Sequence, residues 1–446
     1  MAGERWRRAL WAGVALLCPA IPLQAYFAGN WYSILHSYSL GMCCGIVSYV
    51  YFANALILSA RIPGLDRLFG HDRVMVFHGR LAGAAFVLAG AHAGFKSGFF
   101  GFDTDQIHFG IAALGLFAAV GLATILFMVR TPLHRIAGMV RLREFGARRL
   151  GCDYSRVKLF HNLAAPALAL ATVHVLMAAP TAETRGRLAL MGAWGAAALL
   201  FHAYHKVLRV AINHRRAFRV AEVRRLSGAV VEIRAVRPDG SRLDHRAGQF
   251  AFFRLLSPVC GREEHPFTIS SPPGAAALGL TVKALGDYTA ALPAADIGAK
   301  LLCDGPYGRF TPERGAGPHL FVAGGIGITP FLSILREWDA AGILEPVVLI
   351  WSVRTRPEFI DEGFFAAMAA RHAAFRYVPV LTREADGAGR RMDRALLEAC
   401  IAPLGADRLA AYICGPAALC RAASGHLRAL GLPRSAIHAE SFSGSI

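Results

Sequence analysis

Four histidines carry the clearest chemical signal in the chain: His78 and His92, fourteen positions apart, and His161 and His174, thirteen apart. All four fall in long apolar stretches, where an imidazole is expensive and usually functional. On a helix, fourteen residues make just under four turns and thirteen slightly over three and a half, so each pair lies on roughly one face. The members of a pair then stand about 20 Å apart along the axis. With both helices running the same way, His78 meets His161 at one depth and His92 meets His174 at the other. Two imidazoles at each of two matched depths suit two stacked cofactors inside a bundle. Haem iron takes axial histidine, and histidine on both sides leaves no open position, so such a centre passes electrons without binding oxygen. A helix–helix hydrogen bond accounts for one histidine of this kind. Four at matched spacing point to two b-type haems, with His78, His92, His161 and His174 as iron ligands.

The other histidines read differently. His202 and His205, near the end of the last apolar stretch, have no counterpart at the far depth and read as interfacial; His36, His71, His108 and His134 fall in loops. Arg80, two residues from His78, either neutralises a haem propionate or snorkels to the interface. Lys96, one turn beyond His92, faces the same choice at the other surface.

A span needs roughly 20 mostly apolar residues, and six stretches qualify: 9–28, 39–59, 74–95, 109–129, 157–179 and 188–207. Lys and Arg in the flanks set their direction. Arg5, Arg7 and Arg8 precede the first, and Arg61, Arg67 and Arg73 follow the second. The segment 130–158 holds Arg130, Arg135, Arg141, Arg143, Arg148, Arg149, Arg156 and Lys158, and the exit holds Lys206, Arg209, Arg215 and Arg216. The opposite flanks offer only Lys96, Arg185 and Arg187. Both ends of the membrane part, and everything after it, are therefore expected in the cytoplasm, with membrane lipid around the spans. ERWRR before an apolar run is also how a cleaved signal peptide begins, and the later loops give the same direction either way.

The net charge of +18 is spread between apolar stretches rather than gathered on a soluble patch, which argues against nucleic acid as a partner. Nine cysteines without a CxxC pair make neither a disulfide framework nor a zinc site. They fit a soluble part kept in a reducing compartment. No internal repeat or low-complexity tract is visible. At 446 residues the chain has room for two or three domains.

The second half changes character. GQFAFFRL (248–255), PFTIS (266–270), LGLTVKAL (278–285) and AKLLCDG (299–305) read as closely spaced strands of a small antiparallel barrel. After 318, the apolar runs HLFVA, PVVLIW, RYVPVL and LAAYIC alternate with helical stretches, the pattern of a parallel nucleotide-binding sheet. The first run leads into GGIGITP (324–330), whose glycines let backbone N–H groups approach a pyrophosphate. Thr329 is placed to cap the following helix and Pro330 suits its first turn. This turn is not the GxGxxG fingerprint.

Taken in order, HPFTISS (265–271), KALGDYTAAL (283–292), DGPYGRF (304–310), GGIGITPF (324–331), WSVR (351–354) and CGP (414–416) follow the order of the ferredoxin–NADP reductase superfamily. The set resembles the dehydrogenase half of the NADPH oxidase and ferric reductase family, and the four histidines resemble its membrane half. The resemblance implies a multidomain fold: an all-α six-helix transmembrane bundle (1–210), a β-barrel FAD domain (215–315) and an α/β NAD(P)-binding domain (316–446), in a bacterial inner membrane. It implies that His265, Pro266, Phe267 and Thr268 line the flavin, with Lys283, Gly286, Asp287 and Thr289 near its pyrophosphate. Gly325, Gly327, Thr329 and Pro330 would hold the phosphates of NAD(P)H. Arg354, assisted by Arg383, would meet a 2′-phosphate and so favour NADPH. Cys414 and Gly415 would lie near the nicotinamide. Where the family ends in an aromatic residue on the flavin, this chain places Phe442 four residues before its last.

The implied activity is an NAD(P)H oxidase. NADPH reduces FAD in the cytoplasm, and electrons pass singly through the two haems to an acceptor outside, flavin being the converter from two-electron to one-electron chemistry. Oxygen, giving superoxide, is the first acceptor. A ferric chelate or a periplasmic electron-accepting protein is the alternative. No motif for an obligatory protein partner is visible.

Overall fold

The structure, a computed structural model, describes residues 2–28, 33, 36–98, 104–128, 137–149, 151, 154–261, 263–383, 389–405 and 408–442. Arg130, His134 and Arg135 lie outside the described residues. The chain divides into two compact units, meeting in sequence at Ala211 and Ile212.

The first unit is helical: α1 Ala2–Leu17, α2 Ala20–Phe27, α3 Ser37–Ser59, α4 Pro63–Phe69, α5 His71–Lys96, α6 Asp105–Ala123, α7 Ala137–Arg149, α8 Tyr154–His161, α9 Ala164–Met177, α10 Ala179–Ala182, α11 Arg185–Ala203 and α12 Arg209–Arg215. Among the described residues five helical stretches are long and apolar enough to cross a membrane: Ala9–Phe27, Ser37–Ser59, His71–Lys96, Asp105–Met128 and Arg156–Met177. Six spans were expected. The sixth, 188–207, is helical, but its second half carries His202, His205 and Lys206 and it is not among the five. It continues through a π-helical turn, Tyr204–Leu208, into α12.

Two spans are interrupted for a shared reason. A proline ring has no N–H to donate back four residues and clashes with the carbonyl there. Pro19 and Pro22 fall where α1 gives way to α2, and Pro166 falls in the first turn of α9, just after the break at Asn162 and Leu163. His161 thus closes one helix rather than riding inside the same one as His174. His71 and His108, expected in loops, lie in the first turns of α5 and α6.

Within this unit α3 packs along α5 and α6 along α9, with α11 against α3 and α9. Its core gathers Tyr49, Val50, Ala53, Leu56, Phe117, Ala167 and Leu168.

The second unit begins with an antiparallel sheet of β1 Phe218–Ser227, β2 Val230–Val236, β3 Phe250–Leu256, β4 His265–Thr268, β5 Leu278–Lys283 and β6 Lys300–Tyr307, in the order β4-β3-β6-β1-β2-β5. Strand β2 puts Val231, Ile233 and Ala235 into its core. Helix α13, Asp287–Ala291, follows β5.

A parallel five-stranded sheet comes next: β7 His319–Gly324, β8 Val347–Val353, β9 Phe375–Leu381, β10 Ala410–Gly415 and β11 Ile437–Ser441. Helices α14 Thr329–Ala341, α15 Glu362–Arg371, α16 Arg394–Ile401 and α17 Ala417–Ala429 connect them. The first four strands are the four apolar runs of the sequence, and β11 adds a fifth. The order β11-β10-β7-β8-β9 makes β7 and β10 the strands where direction reverses. Ligands of open α/β sheets bind in the crevice beyond the C-terminal ends of such strands. Gly324 ends β7 and Gly415 ends β10, side by side. Chain architecture is therefore a helical unit with membrane-length helices, followed in sequence by an antiparallel and a parallel sheet.

Candidate functional site

In the helical unit the four histidines form two pairs. His78 and His161 have ring centroids 6.1 Å apart, and so do His92 and His174. Metal–imidazole bonds are about 2 Å long. Two such bonds in line, with the distance from each nitrogen to its ring centre, come to about 6 Å. Each pair therefore has the centroid spacing that two imidazoles sharing one metal ion would have.

In three of the four rings Nδ1 is committed. His78 Nδ1 donates to Ala55 O at 2.8 Å, His92 Nδ1 to Gly41 O at 2.7 Å, and His174 Nδ1 to Gln106 O at 2.7 Å. Holding the proton on Nδ1 leaves Nε2 as a lone-pair donor, the second-shell arrangement of metal-binding histidines. Two glycines make room for the rings. A side chain at Gly45 would press on His92, and one at Gly110 on His174. Neither glycine nor carbonyl was recognisable in the sequence, because they sit on α3 and α6, away from the histidines they serve.

The implied propionate ligand Arg80 is exposed on α5. Lys96 lies 3.1 Å from the centroid of the Tyr38 ring.

In the second unit, Gly325–Ile328 forms a tight 3-10 turn between β7 and α14. Gly325 has φ +55° with open space around it, and Trp351 Nε1 donates to its carbonyl at 2.9 Å. Gly327 is buried, and a side chain there would run into the Cys414 carbonyl. Thr329 departs from the expected cap: it lies inside the first turn, buried, and its hydroxyl donates to Ile326 O at 3.1 Å. Pro330 is in that first turn, as expected.

A cavity of about 270 Å3 opens beside this turn, lined among others by Lys283, Gly325, Trp351, Arg354 and Glu358. Lys283, expected at a flavin pyrophosphate, instead pairs with Glu358 at 2.7 Å on the wall of this cavity. Arg354 and Arg383 are both exposed, and Arg383 N–H donates to Arg354 O at 2.9 Å, extending the β8–β9 ladder past the strands. The cavity wall thus carries an ammonium already paired with a carboxylate and one guanidinium, that of Arg354, whose charge suits a phosphorylated ligand.

Cys414 is fully buried, and burial pushes its thiol well above the ordinary range. It packs in the core between the glycine turn and Tyr412 rather than opening to the cavity. Phe442 is exposed, and its N–H donates to Gly415 O at 3.0 Å, which sets it beside the end of β10.

The barrel residues group separately. His265 stacks on Tyr288 with centroids 4.0 Å apart, and Phe267 lies 6.1 Å from His265. Tyr288, which sequence reasoning left unassigned, is pushed up to about 12 by burial, and its hydroxyl accepts from Leu255 N. Pro266 is exposed and Thr268 buried opposite Phe250. Thr289 accepts from the N–H groups of Leu285 and Gly286 and donates to Gly286 O, which fixes the exposed Gly286–Asp287 turn.

Comparison with known proteins supports this layout. Residues 215–311 match the family described as FAD-binding domain, and 321–425 match the oxidoreductase NAD-binding domain. The chain is similar to the ferredoxin–NAD(P)(+) reductase component of naphthalene 1,2-dioxygenase/salicylate 5-hydroxylase systems of Ralstonia sp, 29% identical over 45% of this chain and 61% of that one. It is 33% identical to ferredoxin–NADP reductase B of Sorangium cellulosum, over 39% of this chain and 72% of that protein. It is 32% identical to human dual oxidase 1 over 31% of this chain, but spans only 10% of that much longer protein. The chain belongs to the ferredoxin–NADP reductase superfamily and is an NAD(P)H oxidoreductase with its FAD- and NAD-binding domains in the C-terminal half.

Proposed function

We propose that the chain is a transmembrane NADPH oxidase, moving electrons from cytosolic NADPH through FAD and two b-type haems to oxygen on the far side of a bacterial inner membrane. The observation that carries this reading is the pair of 6.1 Å histidine spacings, with Nδ1 of three rings tied to backbone carbonyls. His78 with His161, and His92 with His174, would each hold one haem, which would supply one-electron storage when bound.

The chain's own residues do the rest. Gly325 and the open end of the α14 turn receive phosphate, Arg354 supplies positive charge with the Lys283–Glu358 pair beside it, and Arg383 stands next to Arg354. His265, Phe267 and Tyr288 offer a flat aromatic surface for the flavin. The domain limits 1–210, 215–315 and 316–446 belong to the same proposal.

Two measurements test it. Purified protein should show the sharp Soret band of low-spin haem and a haem content of two per chain. NADPH should then drive cytochrome c reduction that added superoxide dismutase suppresses. Strong anaerobic reduction of a ferric chelate without oxygen consumption would replace oxygen by ferric iron as the acceptor.

A further inference from the structure

We propose that Arg336 is a positioning residue for hydride transfer, an inference that rests on the reading of the chain as a reductase passing hydride from NAD(P)H to flavin. Its guanidinium ties the wall of the nucleotide cavity to the end of the motif HPFTISS (265–271). Arg336 lies two turns into α14, the helix that follows the glycine turn. Ser333 and Arg336 stand four and seven residues after Thr329, so the three share one helix face. That face meets the barrel. Ser333 Oγ donates to Ser271 O at 2.7 Å, and Arg336 Nη1 donates to Ser270 O at 3.2 Å.

The barrel end of this tie is held by the barrel itself. Ser270 N–H donates to Gly279 O at 2.9 Å, Gly279 N–H to Ser271 Oγ at 3.0 Å, and Thr281 Oγ1 to Ser270 Oγ at 2.9 Å. Ser270 is fully buried and lies two residues beyond the end of β4, the strand that carries His265 and Phe267. A shift at Ser270 is therefore a shift of that strand.

The other end is the cavity wall. Arg336 Nη2 donates to Asp361 Oδ2 at 2.6 Å. Glu358 and Ile360, just before Asp361, line the cavity beside Gly325. Asp361 precedes the first turn of α15 with φ +57°, a left-handed conformation uncommon outside glycine. A short charge-assisted bond to this residue fixes the point where the wall becomes helix.

Neutralising a buried charge does not account for Arg336. Glu232 on β2 has a side chain only 2% exposed, and a buried carboxylate needs partners. Its own sheet supplies two, Arg224 Nη2 at 2.8 Å and Arg234 Nε at 3.2 Å, both on Oε2. Arg336 Nη1 stands farther off, 3.9 Å from Oε1. The shorter contacts of Arg336 go instead to the two elements whose register matters. Arg336 gives up no proton and no electron. The hydride leaves the nicotinamide with its electron pair and arrives on the flavin, and the guanidinium sets only how the two sheets that hold them are spaced.

The test uses the full chain in lipid nanodiscs, loaded with FAD and mixed anaerobically with NADPH in a stopped-flow spectrometer. Arg336→Lys keeps a positive charge near Glu232 and Asp361, but an ammonium cannot extend a planar fork to Asp361 and Ser270 at once. The variant should keep the parent's flavin content, thermal midpoint and apparent Kd for NADPH. Its limiting rate of flavin bleaching should fall about tenfold, the scale of a misplacement by a few tenths of an ångström. The long-wavelength charge-transfer absorbance of the nicotinamide–flavin pair should weaken with it. Before NADPH is added, amide hydrogen exchange across 358–364 should be faster than in the parent, because the cavity wall loses its tie. Arg371→Lys is the control, since it alters the 2.7 Å pair with Asp339, which also joins α14 to α15. It should match the parent throughout, and an equal slowing there overturns the proposal. So does a parent-like limiting rate in Arg336→Lys, because charge alone then suffices. A raised Kd with an unchanged limiting rate overturns it by placing Arg336 in nucleotide binding. Loss of flavin or a lowered thermal midpoint overturns it by assigning the guanidinium to folding. A parent chain whose flavin NADPH does not bleach fails one step earlier and removes the reductase reading itself.

Discussion

His92 Nδ1–H donates to the carbonyl of Gly41 at 2.7 Å, and its ring fills the space that a side chain on Gly45 would need. A methyl group there would stand 2.6 Å from Nδ1 and 2.9 Å from Cε1. Gly110 holds the same relation to His174, at 2.7 Å. Both imidazoles are thus aimed by backbone rather than by polar side chains. Gly45→Ala and Gly110→Ala should each tip one ring and lower haem content from two per chain toward one, with His92 and His174 unaltered. Gly83→Ala on α5, with open space around it, is the control. Pyridine haemochrome content per protein decides the matter, and a full complement in Gly45→Ala would show that the aim of His92 does not depend on this contact.

Arg354 and Arg383 are neighbours through the backbone bond that prolongs the β8–β9 ladder. Two guanidinium groups at the open edge of a dinucleotide sheet discriminate by charge between NADPH and NADH, because only the former offers a 2′-phosphate. Arg354→Ala should raise the KM for NADPH about tenfold, the loss of one charge-assisted contact, and leave that for NADH nearly unchanged. Steady-state reduction of ferricyanide with each cofactor reads the ratio. An equal rise for both would place Arg354 outside the 2′-phosphate subsite.

The histidine tiers were legible because helix rise is fixed: residues fourteen apart on an unbroken helix must reappear on nearly the same face a known distance away. The break between His161 and His174 was less legible, although Pro166 announces it, since the apolar run continues across it. Gly41, Gly45, Gln106 and Gly110 could not be found by pattern. Each supports a ring on a different helix, and only packing brings them together. The expected sixth span, 188–207, is helical, though it is not among the five described helices long and apolar enough to cross a membrane. In the soluble half, the order of motifs located the glycine turn and the barrel, but partner choice was hidden. Lys283 faces Glu358 across 75 positions, and Thr329 turns to Ile326 instead of capping.

Gly325 and Gly327 look alike in sequence and differ in the fold. Gly325 has φ +55° and open space, so a side chain there meets only backbone strain, about 1 kcal/mol. Gly327 has no such space, and a methyl group would collide with the Cys414 carbonyl on the neighbouring strand β10. Gly327→Ala should destabilise the chain by about 1–3 kcal/mol, the range for overpacking a filled core, and should lower flavin reduction by NADPH. Gly325→Ala should affect NADPH more than stability. Thermal unfolding followed by flavin fluorescence compares them, and a larger loss for Gly325→Ala would reverse the assignment.

His319 opens β7 almost fully buried, with Nε2 3.2 Å from Glu345 Oε1 and 3.2 Å from Glu313 O, against Phe321 and Trp338. Burial lowers its pKa below the ordinary histidine value, outweighing the Glu313 carbonyl and the Glu345 carboxylate, which raise it. As pH falls below about 6.5, the unfolded chain takes up a proton at this position that the folded chain refuses. Stability from this group is therefore fully present above that pH and is lost on the acid side, down to the lower folded pKa. The slope is at most about 1.4 kcal/mol per pH unit for one proton. His319→Gln can still donate to Glu345 but cannot titrate. Thermal unfolding of the full chain between about pH 5 and 7 should be less pH-dependent in this variant than in the parent. A parent and variant with parallel pH profiles would show that the buried imidazole is not the group responsible.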